Sequence, residues 1–205
     1  MPDHRHPSFF GRVAVKAALG GEAPGHLMTQ KRSERPDAGF TLIELLIVIA
    51  VIGVVCAITI PALLRAKITG NETAVLGSMR AVNSAQAAYA GAAANGSYAA
   101  SFTILVRACP GSTQGFISPD LAGDPAVKSG YSVQLGPGTV GAGEADCNGE
   151  ATSRGYYLTA VPLTIGLTGQ RAFASTSPGV IYFDANGVPP AETEMRPGGS
   201  ATPIQ

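Results

Sequence analysis

The chain has 205 residues and a formal net charge of 0, but its charges are unevenly distributed. Residues 1–39 hold 6 of the 14 basic and 4 of the 14 acidic residues, which leaves 8 basic and 10 acidic residues in the remainder. This faintly acidic remainder offers no electrostatic basis for direct binding of nucleic acid.

The distribution of histidine and cysteine argues against catalysis. All three histidines lie before residue 39, so the rest of the chain lacks histidine as a general base, a triad member or a metal ligand. Cys56 lies inside an apolar segment, and the two cysteines outside it are too few for a zinc site built on cysteine. We therefore predict that the protein is not an enzyme and binds no metal or cofactor.

The first predicted element is a polar leader, residues 1–39, which ends in Gly39. Its first part follows no recognisable targeting pattern. Met28 offers an alternative start, which gives a compact leader with three basic and two acidic residues. We expect translation to begin at Met28.

A long apolar run follows the leader over residues 40–64. Residues 45–64 carry no charge, and about 20 apolar residues are enough for a helix to span a membrane. An ordinary secretory signal places its small residues after the apolar core, whereas here Gly39 precedes the core. Cleavage after Gly39 would therefore leave the apolar helix on the mature protein.

The basic residues of the leader predict the orientation of this helix. Lys31, Arg32 and Arg35 lie on the flank that the positive-inside rule keeps in the cytoplasm. The part of the chain after Leu64 is then expected on the outer side of a single span.

Glu44 is the one charge in the apolar run. A carboxylate near the end of a membrane helix costs about 2 kcal/mol or more unless it finds a partner. A plain membrane anchor gives no reason for such a charge, so Glu44 indicates a more specific role.

This part of the chain resembles the processing site of type IV prepilins and type II secretion pseudopilins. The matching features are Gly39, Phe40, Glu44 and the helix that continues through Lys67. The resemblance implies that a prepilin peptidase cuts after Gly39 and methylates the new N-terminus at Phe40. It also implies that Glu44 pairs with the N-terminal ammonium of a neighbouring subunit, which offsets the desolvation of both charges.

The helical pattern continues beyond the apolar run. Apolar residues recur at spacings of three, four or seven, which predicts one stripe for packing against a globular head. The members of this stripe are Leu64, Ile68, Val75, Met79, Val82 and Tyr89. The predicted helix ends at Asn95 and Gly96, and Pro61 predicts a kink because it removes a backbone donor.

Several short segments after the helix predict a head built on an antiparallel meander. Four are rich in β-branched or aromatic residues and are bounded by Gly and Pro, as strands are. They are residues 130–135, 155–161, 170–175 and 179–183, and residues 101–108 form a short helix or strand.

Cys109 and Cys147 are predicted to form a disulfide, because both would face an oxidising space. The alternative is a pair of unrelated thiols. Cys56, at membrane depth, is interpreted as a small packing residue.

The segment from Asp184 to Gly187 has the Asp-x-Asn spacing of a calcium loop, but Asn-Gly after a strand favours a turn.

The order of the head segments resembles a group of type IV pilins. The matching pieces are residues 129–131, 155–162, 168–173 and 179–184. The resemblance implies an α+β fold, in which a long N-terminal helix, transmembrane in its first half and amphipathic in its second, packs against a small antiparallel sheet. The predicted divisions are the leader 1–39, the transmembrane and filament-core helix 40–64, the amphipathic half 65–95, the head 96–188 and a flexible tail 189–205.

The function implied by the resemblance is that of a structural subunit of a type IV pilus, inserted in the inner membrane with its head in the periplasm. One alternative is a pseudopilin of a type II secretion system, and a less favoured one is a membrane-anchored periplasmic enzyme. The implied partners are other pilin subunits in a homopolymeric filament, the prepilin peptidase, the pilus assembly platform and the inner membrane. After assembly the subunit would lie in an extracellular pilus or a periplasmic pseudopilus.

Overall fold

The computed structural model describes residues 39–204. The expectations for the leader, including the start at Met28 and the basic flank, lie outside these residues. The compact unit that begins at Ile43 contains the sheets and nearly all of the long helix. In chain order, the elements are α1 Leu42–Ala92, β1 Tyr98–Ala99, α2 Phe102–Val106, a 3₁₀ turn Pro119–Leu121, β2 Ala126–Lys128, β3 Tyr131–Pro137, β4 Thr152–Ser153, β5 Tyr156–Pro162, β6 Ala172–Thr176, β7 Ile181–Asp184 and β8 Thr202–Pro203.

The long helix α1 has 51 residues, which gives it a length of about 75 Å at 1.5 Å per residue. It continues through Pro61, and a kink there stays a prediction. It ends at Ala92, and the following turn places Asn95 and Gly96 at positive φ angles of 46° and 86°. The Gly96 N–H donates to the carbonyl of Ala90 at 2.8 Å, which satisfies one of the last free carbonyls of the helix.

The head contains a six-stranded sheet in the order β2-β3-β5-β6-β7-β8, and every neighbouring pair is antiparallel. A separate two-stranded sheet joins β1 to β4. The four strands predicted with most support correspond to β3, β5, β6 and β7, and residues 101–108 contain the short helix α2. The α+β prediction, a long apolar N-terminal helix with an antiparallel sheet, is therefore confirmed.

The hydrophobic core lies between the second half of α1 and the sheet. Alternate residues of β3 and β5 are buried, as the two-residue period of a strand requires. The core residues from α1 are Val75, Met79, Val82 and Tyr89, and those from the sheet include Tyr131, Val133, Leu135, Tyr156, Leu158 and Phe173.

The predicted apolar stripe of α1 extends too far toward the N-terminus. Leu64 is exposed and Ile68 is only half-buried, whereas burial begins at Glu72 and Val75. The reason is that the sheet reaches only as far along the helix as residues 71 and 72, where the connection between β5 and β6 contacts it.

Residues 189–204 make several contacts with the sheet. Strand β8 pairs with β7, and the Ile204 N–H donates to the Ile181 carbonyl at 2.8 Å. Met195 is buried, and the Tyr157 hydroxyl donates to the Pro190 carbonyl at 2.9 Å. The flexible tail expected from the Pro- and Gly-rich composition stays a prediction.

Cys109 and Cys147 form a disulfide with a Cα–Cα distance of 5.6 Å, and both residues are half-buried. The bridge connects the loop after α2 to the segment before β4. It joins positions 38 residues apart in the sequence. The pairing expected from the sequence is therefore present.

Replacing both bridged cysteines with alanine should lower the free energy of unfolding of the head by about 3–4 kcal/mol, because loop closure no longer restricts the unfolded chain. Chemical denaturation followed by tyrosine fluorescence in detergent measures the change. Cys56→Ala is the matched control and should leave the midpoint unchanged, since Cys56 is exposed on α1. An equal midpoint for the bridged and unbridged proteins would contradict the prediction.

Candidate functional site: the exposed helix and its attachment to the head

The first half of α1 is apolar and exposed along its whole described length. Every residue from 40 to 64 is exposed, and Phe40 and Leu42 have 84% and 87% of their surface accessible. Within residues 39–204, α1 is the one helix long and apolar enough to cross a membrane, and none of its most apolar window is buried. An exposed apolar surface of this size requires lipid or other protein to cover it.

The sequence-predicted processing residues lie at the beginning of this helix. Gly39 and Phe40 are exposed and precede α1, and Glu44 lies in its first turn. A carboxylate in the first turn interacts favourably with the positive end of the helix dipole, a contribution of about 0.3–1 kcal/mol. Cys56 and Pro61 lie further along the same exposed segment.

A buried carboxylate attaches the second half of α1 to the head. The side chain of Glu72 is 7% exposed. Its Oε1 accepts the backbone N–H groups of Gln170 and Arg171 at 3.0 and 3.1 Å. Its Oε2 accepts Nε and Nη2 of the Arg171 guanidinium at 2.8 and 2.7 Å. One helix residue therefore fixes both the backbone and the side chain of the segment that leads into β6.

Arg171 is in turn held by aromatic rings. Its guanidinium carbon lies 5.6 Å from the ring centre of Phe173 and 5.3 Å from that of Phe183. Burial alone would raise the pKa of the Glu72 carboxyl, but the hydrogen bonds from Gln170 and Arg171 hold that pKa below its ordinary value. Glu72 is therefore ionised at neutral pH and serves as an acceptor.

Two asparagines next to the apolar stripe make further bonds to the head. Asn71 donates from Nδ2 to the Thr168 carbonyl at 2.8 Å. Asn83 donates from Nδ2 to the Gly179 carbonyl at 2.9 Å and accepts the Tyr156 hydroxyl on Oδ1 at 3.0 Å. Burial raises the pKa of Tyr156 to about 12, so this hydroxyl stays protonated as a donor at neutral pH.

The last turns of α1 are fixed by a second set of polar contacts. The Gln86 side chain is buried and exchanges two hydrogen bonds with the backbone of Ala99, at 2.8 and 2.9 Å. The Tyr89 hydroxyl donates to Asp146 at 2.8 Å. Burial would raise the pKa of Asp146, but this bond and the backbone N–H of Glu150 hold that pKa below its ordinary value.

These polar groups attach the second half of α1 to the head. Within residues 39–204, no group of three or more His, Cys, Asp or Glu is placed to hold a metal ion. Asp184 accepts the Asn186 N–H at 2.7 Å, and Gly187 has a φ angle of 79°, so this segment is a turn.

The sequence interpretation did not identify Glu72, although a signal was present. Glu72 is four residues after Ile68 and three before Val75, so it occupies the predicted apolar stripe. It is also the one acidic residue of α1 besides Glu44. A charge on a buried stripe requires a partner, but Arg171 is 99 positions away and no local pattern connects the two.

The prokaryotic N-terminal methylation motif matches the chain over residues 35–60. The match includes Gly39, Phe40 and Glu44, and it supports the resemblance to the type IV pilin and type II secretion pseudopilin family. No curated protein and no solved structure matches the chain significantly. The motif points to a structural subunit that a prepilin peptidase processes and that assembles into filaments.

Proposed function

We propose that this protein is a structural subunit of a type IV pilus, cleaved after Gly39 and methylated on Phe40. The observation that carries the proposal is the exposed apolar half of α1, joined without interruption to a half that is fixed to the head. Such a helix can be held in a membrane before assembly and in a filament core afterwards. Its partners are other copies of the chain, the prepilin peptidase, the pilus assembly platform and the inner membrane.

The N-terminal motif fits the pilus and the secretion pseudopilus equally well. We favour the pilus because the order of the head segments, which correspond to β3, β5, β6 and β7, resembles that of a type IV pilin group. The subunit would be a single-pass inner-membrane protein with a periplasmic head before assembly and part of an extracellular filament afterwards. The pseudopilin of a type II secretion system is the second candidate.

Mass spectrometry of sheared surface material tests the proposal. We expect filaments that contain chains beginning with methylated Phe40. In cells that produce Gly39→Val, we expect an uncleaved precursor in the membrane and no filaments. If Phe40 is methylated but the wild-type cell surface carries no filaments, the result favours the pseudopilin. An uncleaved wild-type chain would contradict both candidates.

The same uncleaved precursor tests the start of translation. We expect its N-terminal peptide to begin at Met28. Peptides from residues upstream of Met28 would contradict this start without affecting the proposed function.

A further inference from the structure

The connection between β5 and β6 contains an exposed apolar turn, residues 163–169. Leu163, Ile165 and Leu167 have 54%, 53% and 48% of their surface accessible, and the turn contains no charged residue. Three large apolar side chains exposed within seven residues form a local patch, and such patches mark interaction surfaces.

The apolar turn has a fixed conformation. The Thr168 N–H donates to the Thr164 carbonyl at 2.9 Å, which closes the turn around its tip. A Cβ placed on Gly187 would lie 2.7 Å from Cδ1 of Ile165, so the turn after β7 packs directly against it. The next residue, Val188, is also exposed at 65%. The apolar side chains are therefore presented together by two adjacent turns.

The apolar turn lies at the end of the head nearest the N-terminus of α1. Strand β5 begins at Tyr156, whose hydroxyl bonds to Asn83 of α1. The connection that follows β5 includes Thr168, whose carbonyl accepts a hydrogen bond from Asn71 of α1. The helix rises about 18 Å between these two asparagines, and the six-residue advance along β5 covers a similar length, about 20 Å. Strand β5 therefore runs from the level of Asn83 toward the apolar segment, residues 40–64.

Only a short basic stretch separates this turn from the apolar segment. From Leu64 to Asn71 the helix rises about 10 Å, while the headgroup region of a bilayer is about 5–8 Å thick on each side. The charged residues in this stretch are Arg65 and Lys67, both basic. Basic residues at this level favour an anionic lipid surface.

We propose that the apolar turn contacts the headgroup region of the membrane from which the unassembled subunit projects, and that lipid is what covers it. This inference rests on the proposed function, because it takes residues 45–64 as membrane-spanning. The contact fixes the orientation of the head above the bilayer. It is broken when the subunit leaves the membrane for the filament.

Lipid-based quenching of a fluorophore on the turn tests the inference. The full chain is prepared as Cys56→Ser with Ile165→Cys, labelled with an environment-sensitive dye and reconstituted at high dilution in phosphatidylethanolamine–phosphatidylglycerol vesicles. Lipids spin-labelled near the headgroup should reduce its emission at least twofold. The matched control is Val140→Cys, which is 62% exposed and lies beside Gly155 at the opposite end of β5, and its emission should not change.

A third labelled position separates failure of this inference from failure of the proposed function. Ile58→Cys lies within the apolar segment and should be quenched by lipids labelled deep in the acyl chains. Quenching at residue 58 without quenching at residue 165 overturns the membrane contact and leaves the proposed anchor intact. Absence of quenching at residue 58 contradicts both.

Two further measurements identify what covers the turn. If aqueous iodide fails to quench the residue 165 probe and lipid labels also fail, protein covers the turn and the inference is wrong.

Adding Leu163→Asp and Leu167→Asp should abolish quenching at residue 165 by lipids labelled near the headgroup. Retained quenching in that variant, with an unchanged circular dichroism spectrum, would show that the apolar side chains do not hold the turn at the membrane.

Discussion

Subunits carrying Glu44→Gln should be cleaved and inserted normally but should enter filaments at least about 30-fold less efficiently. In the proposed assembly, the carboxylate pairs with the ammonium that cleavage creates at Phe40 of a neighbouring copy. Truncating one partner of a buried charge pair costs about 2–5 kcal/mol, and 2 kcal/mol corresponds to about a 30-fold change in affinity. Immunoblotting of sheared filaments against membrane-bound subunit measures the ratio.

Two variants separate the intersubunit charge from other effects of the substitution. Glu44→Asp keeps the charge and its interaction with the helix dipole, so we expect partial recovery of filaments. Glu150→Gln removes a carboxylate from an exposed ion pair with Arg107 in the head and should leave filament yield unchanged. Wild-type yield from Glu44→Gln, with Phe40 correctly processed, would show that the charge has no part in assembly.

In this proposal, the charge pair between Glu44 and the N-terminal ammonium forms only after cleavage at Gly39. An uncleaved precursor has a peptide bond, not an ammonium, at the nitrogen of Phe40. A Gly39→Val chain should therefore fail to assemble although Glu44 is intact. Filaments built from uncleaved chains would overturn the charge-pair mechanism.

The elements that sequence reasoning predicts best are those with their own local signal. The apolar run from 40 to 64 is long, and its residues 45–64 carry no charge. Strands β3 and β5 have alternating or β-branched residues between Gly and Pro. Strands β1, β4 and β8 have two residues each, too few to show any period. Their existence depends on partners elsewhere in the chain, so no local pattern predicts them.

Sequence reasoning also misses the polar contacts that attach α1 to the head, because they too depend on partners elsewhere in the chain. Gln86 is buried because the backbone of Ala99 satisfies both ends of its amide. Glu72 is buried because Arg171 meets it across the fold. Local periodicity identifies which face of a helix is buried, but it does not identify a distant group that compensates a polar residue on that face.

Glu72→Ala should lower the free energy of unfolding of the head by about 2–4 kcal/mol. The change leaves the backbone N–H groups of Gln170 and Arg171 and the Arg171 guanidinium without their acceptor. Removing one partner of a buried pair costs about 3–5 kcal/mol. The value here is lower because the Arg171 side chain is 39% exposed and can bind water in the variant.

Chemical denaturation in detergent, followed by tyrosine fluorescence, measures this loss. Glu150→Gln is the control, because its exposed ion pair with Arg107 should contribute no more than about 1 kcal/mol. A double-mutant cycle with Arg171→Ala separates the contact between the two side chains from the backbone hydrogen bonds. Equal stability of Glu72→Ala and the wild type would show that the carboxylate does not attach the helix to the head.

The pH dependence of stability gives an independent signature of the same carboxylate. The pKa of Glu72 in the folded state lies below its ordinary value of 4.5, so the unfolded state binds the proton more readily. Its contribution is therefore complete above about pH 4.5 and is lost as the pH falls through the lower folded-state pKa. Glu72→Gln keeps the size of the side chain but does not titrate, so the difference in stability between wild type and variant should shrink in acid. A difference that stays constant from neutral pH to pH 3 would mean that the loss comes from packing, and that the ionised form of Glu72 does not stabilise the attachment.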